Sequence, residues 1–196
     1  EALVFWNHME NTSGIRQYGS VNLETLPYPD DLLKTKNYTG FQVVGDNPIQ
    51  QAEAGQQWDK VLMEYIQGQR NQPVWGYGSN DYLCEEQNGD KLGSAKTILL
   101  VREKNRDALL NAMKKGRMYA VRQSDDNRLS LDEFIVEDQK TGQHATLGQE
   151  LTSTDFPAVK IKLRSLKGGN KTAQIQIIRN GALAKQETVS LPYELT

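Results

Sequence analysis

Short segments in which apolar and polar residues alternate fill the C-terminal part of the chain, and they limit the fold more than any other feature. In the segment AVKIKLR the alternation places Val159, Ile161 and Leu163 on one face, and AQIQIIR has the same pattern. Turn-forming pairs, GG at 168–169 and NG at 180–181, lie between such segments. A period of two interrupted by tight turns predicts a small antiparallel β-sandwich.

The N-terminal part has a different pattern, because helical periodicity appears among short apolar segments. A helix is predicted over residues 56–69, where apolar side chains recur every three or four positions. A second helix is predicted over 105–115, with Asn105 as its N-cap and Gly116 as its stop signal. The apolar segments ALVFWNH, TGFQVVG, PVWGYG and AKTILLV predict strands. This succession favours an α/β organisation with a largely parallel sheet.

The change of pattern near residue 117 predicts how the 196 residues divide. A chain of this length suits one domain or two small ones. We predict an α/β domain over residues 1–123 and a small all-β, sandwich-like domain over residues 124–196.

Composition excludes several classes of function. The net charge of −2 gives no support for binding nucleic acid or a membrane surface. There is no apolar run of 18 residues, so no membrane-spanning segment is predicted in this sequence. One cysteine cannot form an internal disulfide, and two histidines cannot build a histidine-rich metal centre.

Two side chains follow predicted strands and are candidate metal ligands. His8 ends the first strand, and Asp81 follows the strand in WGYGSNDYL. The carboxyl ends of parallel strands meet at one edge of a sheet, so both would lie at that edge. They are suitable ligands for zinc or manganese, and Glu10 is a further candidate. The alternative is that His8 is a structural residue and that Asp81 caps its own turn.

Several motifs of residues 1–123 resemble those of a known family. WNHMEN is similar to a late strand that ends in His-Pro, with His8 at the metal position. GFQVV is similar to GxEV, with Gln42 in place of the glutamate. GYGSNDYL is similar to G-x-G-x-x-D-x-H, with Asp81 matched and Leu83 in place of the histidine. REKNRDALLNAMKKGRMYAV resembles the terminal helix and strand of the same family.

The family is that of the polymerase and histidinol phosphatase (PHP) proteins, which are metal-dependent phosphoesterases built on a distorted β/α barrel. The resemblance implies that residues 1–123 are the C-terminal part of such a barrel, with the sandwich appended. It also implies a divalent metal ion, zinc or manganese, held by His8 and Asp81, with Glu10 as a secondary ligand. A phosphorylated small molecule would be the substrate, and no catalytic residue is assigned.

The departures from the family pattern leave other functions open. Leucine at position 83 cannot bind a metal, Gln42 is a weaker ligand than glutamate, and the family's opening His-x-His motif does not occur in the sequence. The chain also begins without methionine inside an apolar strand, from which we expect a processed chain or part of a longer one. The first hypothesis is therefore a phosphoesterase, or a fragment of one, with a reduced metal site. A non-catalytic scaffold whose β-sandwich binds a protein or carbohydrate is the second, and an unrelated α+β domain is the third.

Overall fold

The computed structural model describes residues 2–8, 14–25, 29–45, 48–80, 82, 84, 91–124 and 126–195. Strands make up 40% of the structure and helices 15%, in several small sheets. The predicted α/β class, a partial PHP-type barrel, is therefore wrong, and the chain has an all-β type of fold. The physical reason is that strands 14–18 and 21–25, and likewise 171–179 and 182–191, pair directly as antiparallel hairpins. Strands 95–99 and 118–122 also pair antiparallel, although a helix lies between them in the sequence, whereas a β/α barrel requires parallel pairing.

The described strands are numbered in chain order: β1 (Phe5–Trp6), β2 (Gly14–Tyr18), β3 (Val21–Thr25), β4 (Gly40–Val44), β5 (Trp75–Gly78), β6 (Ala95–Leu99), β7 (Met118–Arg122), β8 (Leu129–Glu137), β9 (His144–Ala145), β10 (Ala158–Ser165), β11 (Lys171–Arg179), β12 (Ala182–Leu191) and β13 (Tyr193–Leu195). The described helices are α1 (Asp31–Lys34), α2 (Gln57–Ile66) and α3 (Arg106–Lys114). The helices predicted over 56–69 and 105–115 are confirmed as α2 and α3. Asn105 is the N-cap of α3, where its side chain accepts a hydrogen bond from the Ala108 N–H at 2.8 Å. Among the described residues no helix is both long and apolar enough to cross a membrane.

A parallel sheet of three strands, in the order β1-β4-β5, lies in the N-terminal part. The two outer strands approach β4 closely at Gly40, where a Cβ atom would lie 2.2 Å from the Trp75 carbonyl oxygen. Helices α1 and α2 contribute to the core beside this sheet. Its buried members are Leu32, Tyr38, Phe41, Val61 and Val74.

A buried arginine fixes α1 to the rest of this core. The Arg70 side chain is fully buried, and its Nε donates to the Glu64 carboxylate at 2.6 Å. Its two terminal nitrogens donate to the carbonyl oxygens of Leu32, Leu33 and Thr35. A helix of four residues has little stability of its own, so these bonds to its last carbonyl groups hold it in place.

The antiparallel pair β6–β7, whose strands are connected through α3, packs against β5. The Thr97 hydroxyl accepts from the Gly78 N–H at 2.9 Å and donates to the Gly78 carbonyl oxygen at 3.1 Å. At the other end of β5, the Trp75 ring covers Gly116, which has φ 65° and where a Cβ atom would lie 2.3 Å from the ring. The first residue of β5, Trp75, contacts Gly116 just before β7, and its last residue, Gly78, bonds to Thr97, which pairs with Ala120 further along β7. Strand β7 therefore runs in the same direction as β5.

From β8 onward, every described strand pairing is antiparallel, as the alternating segments predicted. One sheet has the order β13-β10-β8-β9, and β11 and β12 form a separate two-stranded ribbon. Buried positions alternate poorly along β12, which is exposed for most of its length. The division into domains at residues 123 and 124 stays a prediction.

Candidate functional site

The carboxyl ends of β1, β4 and β5 lie together because the three strands are parallel. We call this end of the sheet the carboxyl edge, and it consists of the residues His8, Gly45, Ser79 and Asn80. It is the edge at which the sequence predicted the metal ligands. Of those predicted ligands, His8 is described, whereas Glu10 and Asp81 lie outside the described residues, as does Leu83.

His8 has a backbone conformation that is uncommon for a residue with a side chain. Its φ is 56°, in the left-handed region, and the residue is half-buried. Such conformations persist where surrounding contacts impose them, and they are frequent at functional sites. The contacts that hold His8 involve both its backbone and its ring.

The His8 ring is oriented by a chain of two hydrogen bonds. The side-chain amide of Asn7 donates to His8 Nε2 at 3.1 Å, because an amide nitrogen can only donate. The Tyr77 hydroxyl in turn donates to Asn7 Oδ1 at 3.1 Å. Tyr77 belongs to β5, so a strand two positions away in the sheet fixes the ring at the end of β1.

Gln42 joins the two outer strand ends across β4. Its side chain is buried, with 2% exposed. Oε1 accepts from the His8 N–H at 3.1 Å, and Nε2 donates to the Ser79 carbonyl oxygen at 2.7 Å. Gly45 leaves room for this amide, because a Cβ atom there would lie 2.6 Å from Gln42 Nε2. Gln42, which the motif resemblance indicated as a weaker metal ligand than glutamate, therefore connects the backbones at the ends of β1 and β5. We call these two hydrogen bonds the Gln42 clamp.

Asn80 connects the carboxyl edge to the segment that precedes β6. Its side chain is 9% exposed, and Nδ2 donates to the Lys91 carbonyl oxygen at 3.0 Å and to the Ser94 hydroxyl at 3.2 Å. The position that directly precedes Asp81 is thus fixed by contacts with the start of β6. Asn80 was not predicted, although its position in the SND turn next to the candidate ligand was a signal.

Within the described ranges, no group of three or more His, Cys, Asp or Glu side chains could hold a metal ion. A cleft of about 390 Å³ lies at the opposite edge of the sheet, near Thr39 and Pro73. None of its described lining residues is a histidine, cysteine or carboxylate, so it does not have the ligands of a metal site.

Comparisons of the chain with protein families, with curated proteins and with solved structures found no match. Function is therefore inferred from the residues of the carboxyl edge themselves.

Proposed function

We propose that the carboxyl edge is the site of a metal-dependent phosphoesterase, with His8 and Asp81 as metal ligands and Glu10 as a further ligand. The observation that most supports this proposal is the Gln42 clamp. One buried amide group bonds both the His8 N–H and the Ser79 carbonyl group, so the backbone leading to Asp81 begins beside His8. The motifs shared with the PHP proteins provide independent support.

The ligand types suit zinc or manganese, which bind imidazole nitrogen and carboxylate oxygen. Since Asn7 donates to His8 Nε2, that nitrogen carries no proton and its lone pair accepts the hydrogen bond. The same lone pair would bind a metal ion in exchange for the Asn7 hydrogen bond. When bound, the metal supplies Lewis acidity toward a phosphate ester and activates a water molecule.

The chain's own residues contribute orientation. Gln42 holds the backbone of His8 in its left-handed conformation, and the Tyr77 hydroxyl holds the Asn7 side chain beside the ring. Partners of this kind are needed for a metal ligand to keep its position, and their removal typically weakens metal binding or activity.

A non-catalytic scaffold is the second candidate, and the chemistry of Gln42 favours it. An ionised glutamate could not donate to the Ser79 carbonyl group, so glutamine holds the edge together in a way that a metal-binding glutamate would not. In this alternative the clamp replaces the metal as the element that joins the strand ends. The β-rich C-terminal part would then bind a protein or carbohydrate partner.

The test is hydrolysis of para-nitrophenyl phosphate by the purified chain with added zinc or manganese. We expect hydrolysis that EDTA abolishes, and a loss of at least about 100-fold in kcat/KM in His8→Ala and in Asp81→Ala. His144→Ala is the matched control, because His144 is the second histidine and lies exposed on β9. Equal activity in all variants, or no metal-dependent hydrolysis, would refute the phosphoesterase and favour the scaffold.

A further inference from the structure

A second feature of the carboxyl edge is a pocket of about 580 Å³ between the segment before β6 and the end of β7. Four cationic side chains line it, from Lys91, Lys96, Arg122 and Arg128, and we call it the basic pocket. Its volume lies in the range of small-molecule sites.

The basic pocket adjoins the segment that leads to Asp81. Asn80 bonds to both Lys91 and Ser94, which line the pocket. The Gln123 N–H donates to the Ser94 carbonyl oxygen at 2.6 Å and so joins the end of β7 to the start of β6. Because β7 runs parallel to β5, its last residue, Arg122, lies at the same end of the strands as the carboxyl edge.

The charge of the basic pocket differs from that of the whole chain. Its described lining contains four cations and one carboxylate, that of Asp126, whereas the chain has a net charge of −2. Neither the Lys96 nor the Arg122 side chain forms an ion pair with the part of the chain that the structure describes. On β10 the opposite holds, because Lys160, Lys162 and Arg164 each pair with a carboxylate on a neighbouring strand.

Two hydroxyl groups add hydrogen-bond donors to this positive surface. The Ser94 oxygen accepts from Asn80, and the Ser124 oxygen accepts from the Asn127 N–H at 3.1 Å. Because each hydroxyl oxygen accepts in these bonds, its own proton is not used in them and can be donated to a ligand. Cations together with hydroxyl donors are the groups that bind phosphate oxygens.

We propose that the basic pocket binds a phosphate group of a small-molecule ligand beside the carboxyl edge, with Lys96 and Arg122, which line it from the two faces of the β6–β7 ladder, among its cationic contacts. Its role in positioning a substrate rests on the proposed phosphoesterase function. Its binding of phosphate does not, because no metal ligand takes part.

The experiment is a titration of the chain with inorganic pyrophosphate in EDTA, followed by isothermal calorimetry. We expect saturable binding that weakens as salt is added. The double variant Lys96→Gln, Arg122→Gln should weaken it at least about tenfold. Lys104→Gln, Arg106→Gln is the matched control, since these exposed cations lie beyond the other end of β6 and are expected to leave the affinity within about twofold.

Absence of saturable binding, or equal weakening in both double variants, would overturn the proposed pocket. The same titration of His8→Ala separates the two proposals, because its affinity should match that of the wild type. If the chain hydrolyses phosphate esters, the pocket variant should raise KM while kcat changes little, whereas His8→Ala should lower kcat. Pyrophosphate binding without hydrolysis would leave the pocket established and refute only the phosphoesterase.

Discussion

At the scale of the residue, Gln42 shows how one side chain can determine the geometry of an edge. A side-chain amide has both an accepting oxygen and a donating nitrogen, and Gln42 uses each on a backbone group at the end of a different strand. The GFQVV motif indicated the residue only as a substituted metal ligand. The clamp itself could not be predicted, since it depends on the register that pairs Phe5 with Gly40 and Gly40 with Trp75.

The clamp predicts the effect of Gln42→Glu in the presence of EDTA. The ionised carboxylate cannot donate to the Ser79 carbonyl group, so we expect the free energy of unfolding at pH 8 to fall by about 2 kcal/mol. Burial raises the pKa of such a carboxyl, and its protonated form can donate. The variant should therefore recover stability as the pH falls to 5, as measured by urea unfolding.

The matched control for this prediction is Gln174→Glu, at an exposed position of β11. Its stability should stay close to that of the wild type at both pH values. An equal loss in the two variants, or a loss at Gln42 that does not depend on pH, would contradict the clamp.

At the scale of the element, local patterns predicted helices and strands where apolar residues recur with a regular period. The periodicity of α2 and the capping of α3 are local properties, and both are confirmed. The hairpin β2–β3 was not predicted, because none of the apolar segments that indicated strands covers it. Its apolar side chains, among them Ile15 and Val21, are largely exposed and do not form the half-buried stripe that identifies a strand.

The segment between β8 and β10 is organised around one buried carboxylate. Asp138 is 1% exposed and accepts from the backbone N–H groups of Lys140, Thr141 and Thr154 and from the Ser153 hydroxyl. These bonds lower the pKa of Asp138 to about 2, and the bond from the Thr141 N–H has the largest effect. The carboxylate joins two separate parts of the connection, which explains why an acidic residue is buried there.

We expect Asp138 to account for part of the loss of folding stability in acid. Its folded pKa lies below the value of about 3.9 for an unfolded aspartate, so the native state binds fewer protons between these values. Its contribution to stability is fully present above about pH 4 and is lost as the pH falls toward 2. Asp138→Asn should lower the Tm at pH 7 by about 5 °C and reduce the further loss on acidification.

Thermal unfolding between pH 7 and pH 2.5 measures this effect, with Asp155→Asn as the control. Asp155 is more than half exposed, so its replacement should leave both the Tm and its dependence on pH close to those of the wild type. An unchanged acid dependence in Asp138→Asn would contradict the assignment.

At the scale of the whole molecule, the fold class was the prediction that failed. The order of strands and helices along the chain indicated an α/β barrel, but order alone does not determine which strands pair. The β2–β3 hairpin and the β6–β7 pair are antiparallel, and among the described strands parallel hydrogen-bonded pairing occurs only between β1, β4 and β5. Pairing depends on long-range packing, such as that of Trp75 over Gly116, which no local pattern contains.

The candidate site was predicted in part. The position of His8 at a strand end followed from the sequence, whereas the bonds that hold it did not, because Gln42 and Tyr77 lie far from it along the chain. The basic pocket was also not predicted, since its cations come from separate segments that the antiparallel pairing of β6 with β7 brings together.

The proposed function depends on a metal ion held by His8 and Asp81. The most direct test is the metal content of the purified chain by inductively coupled plasma mass spectrometry after dialysis against zinc or manganese. We predict about one tightly held ion per chain, lost in His8→Ala and in Asp81→Ala and retained in His144→Ala. No retained ion in the wild type, or an ion that both variants keep, would contradict the claim.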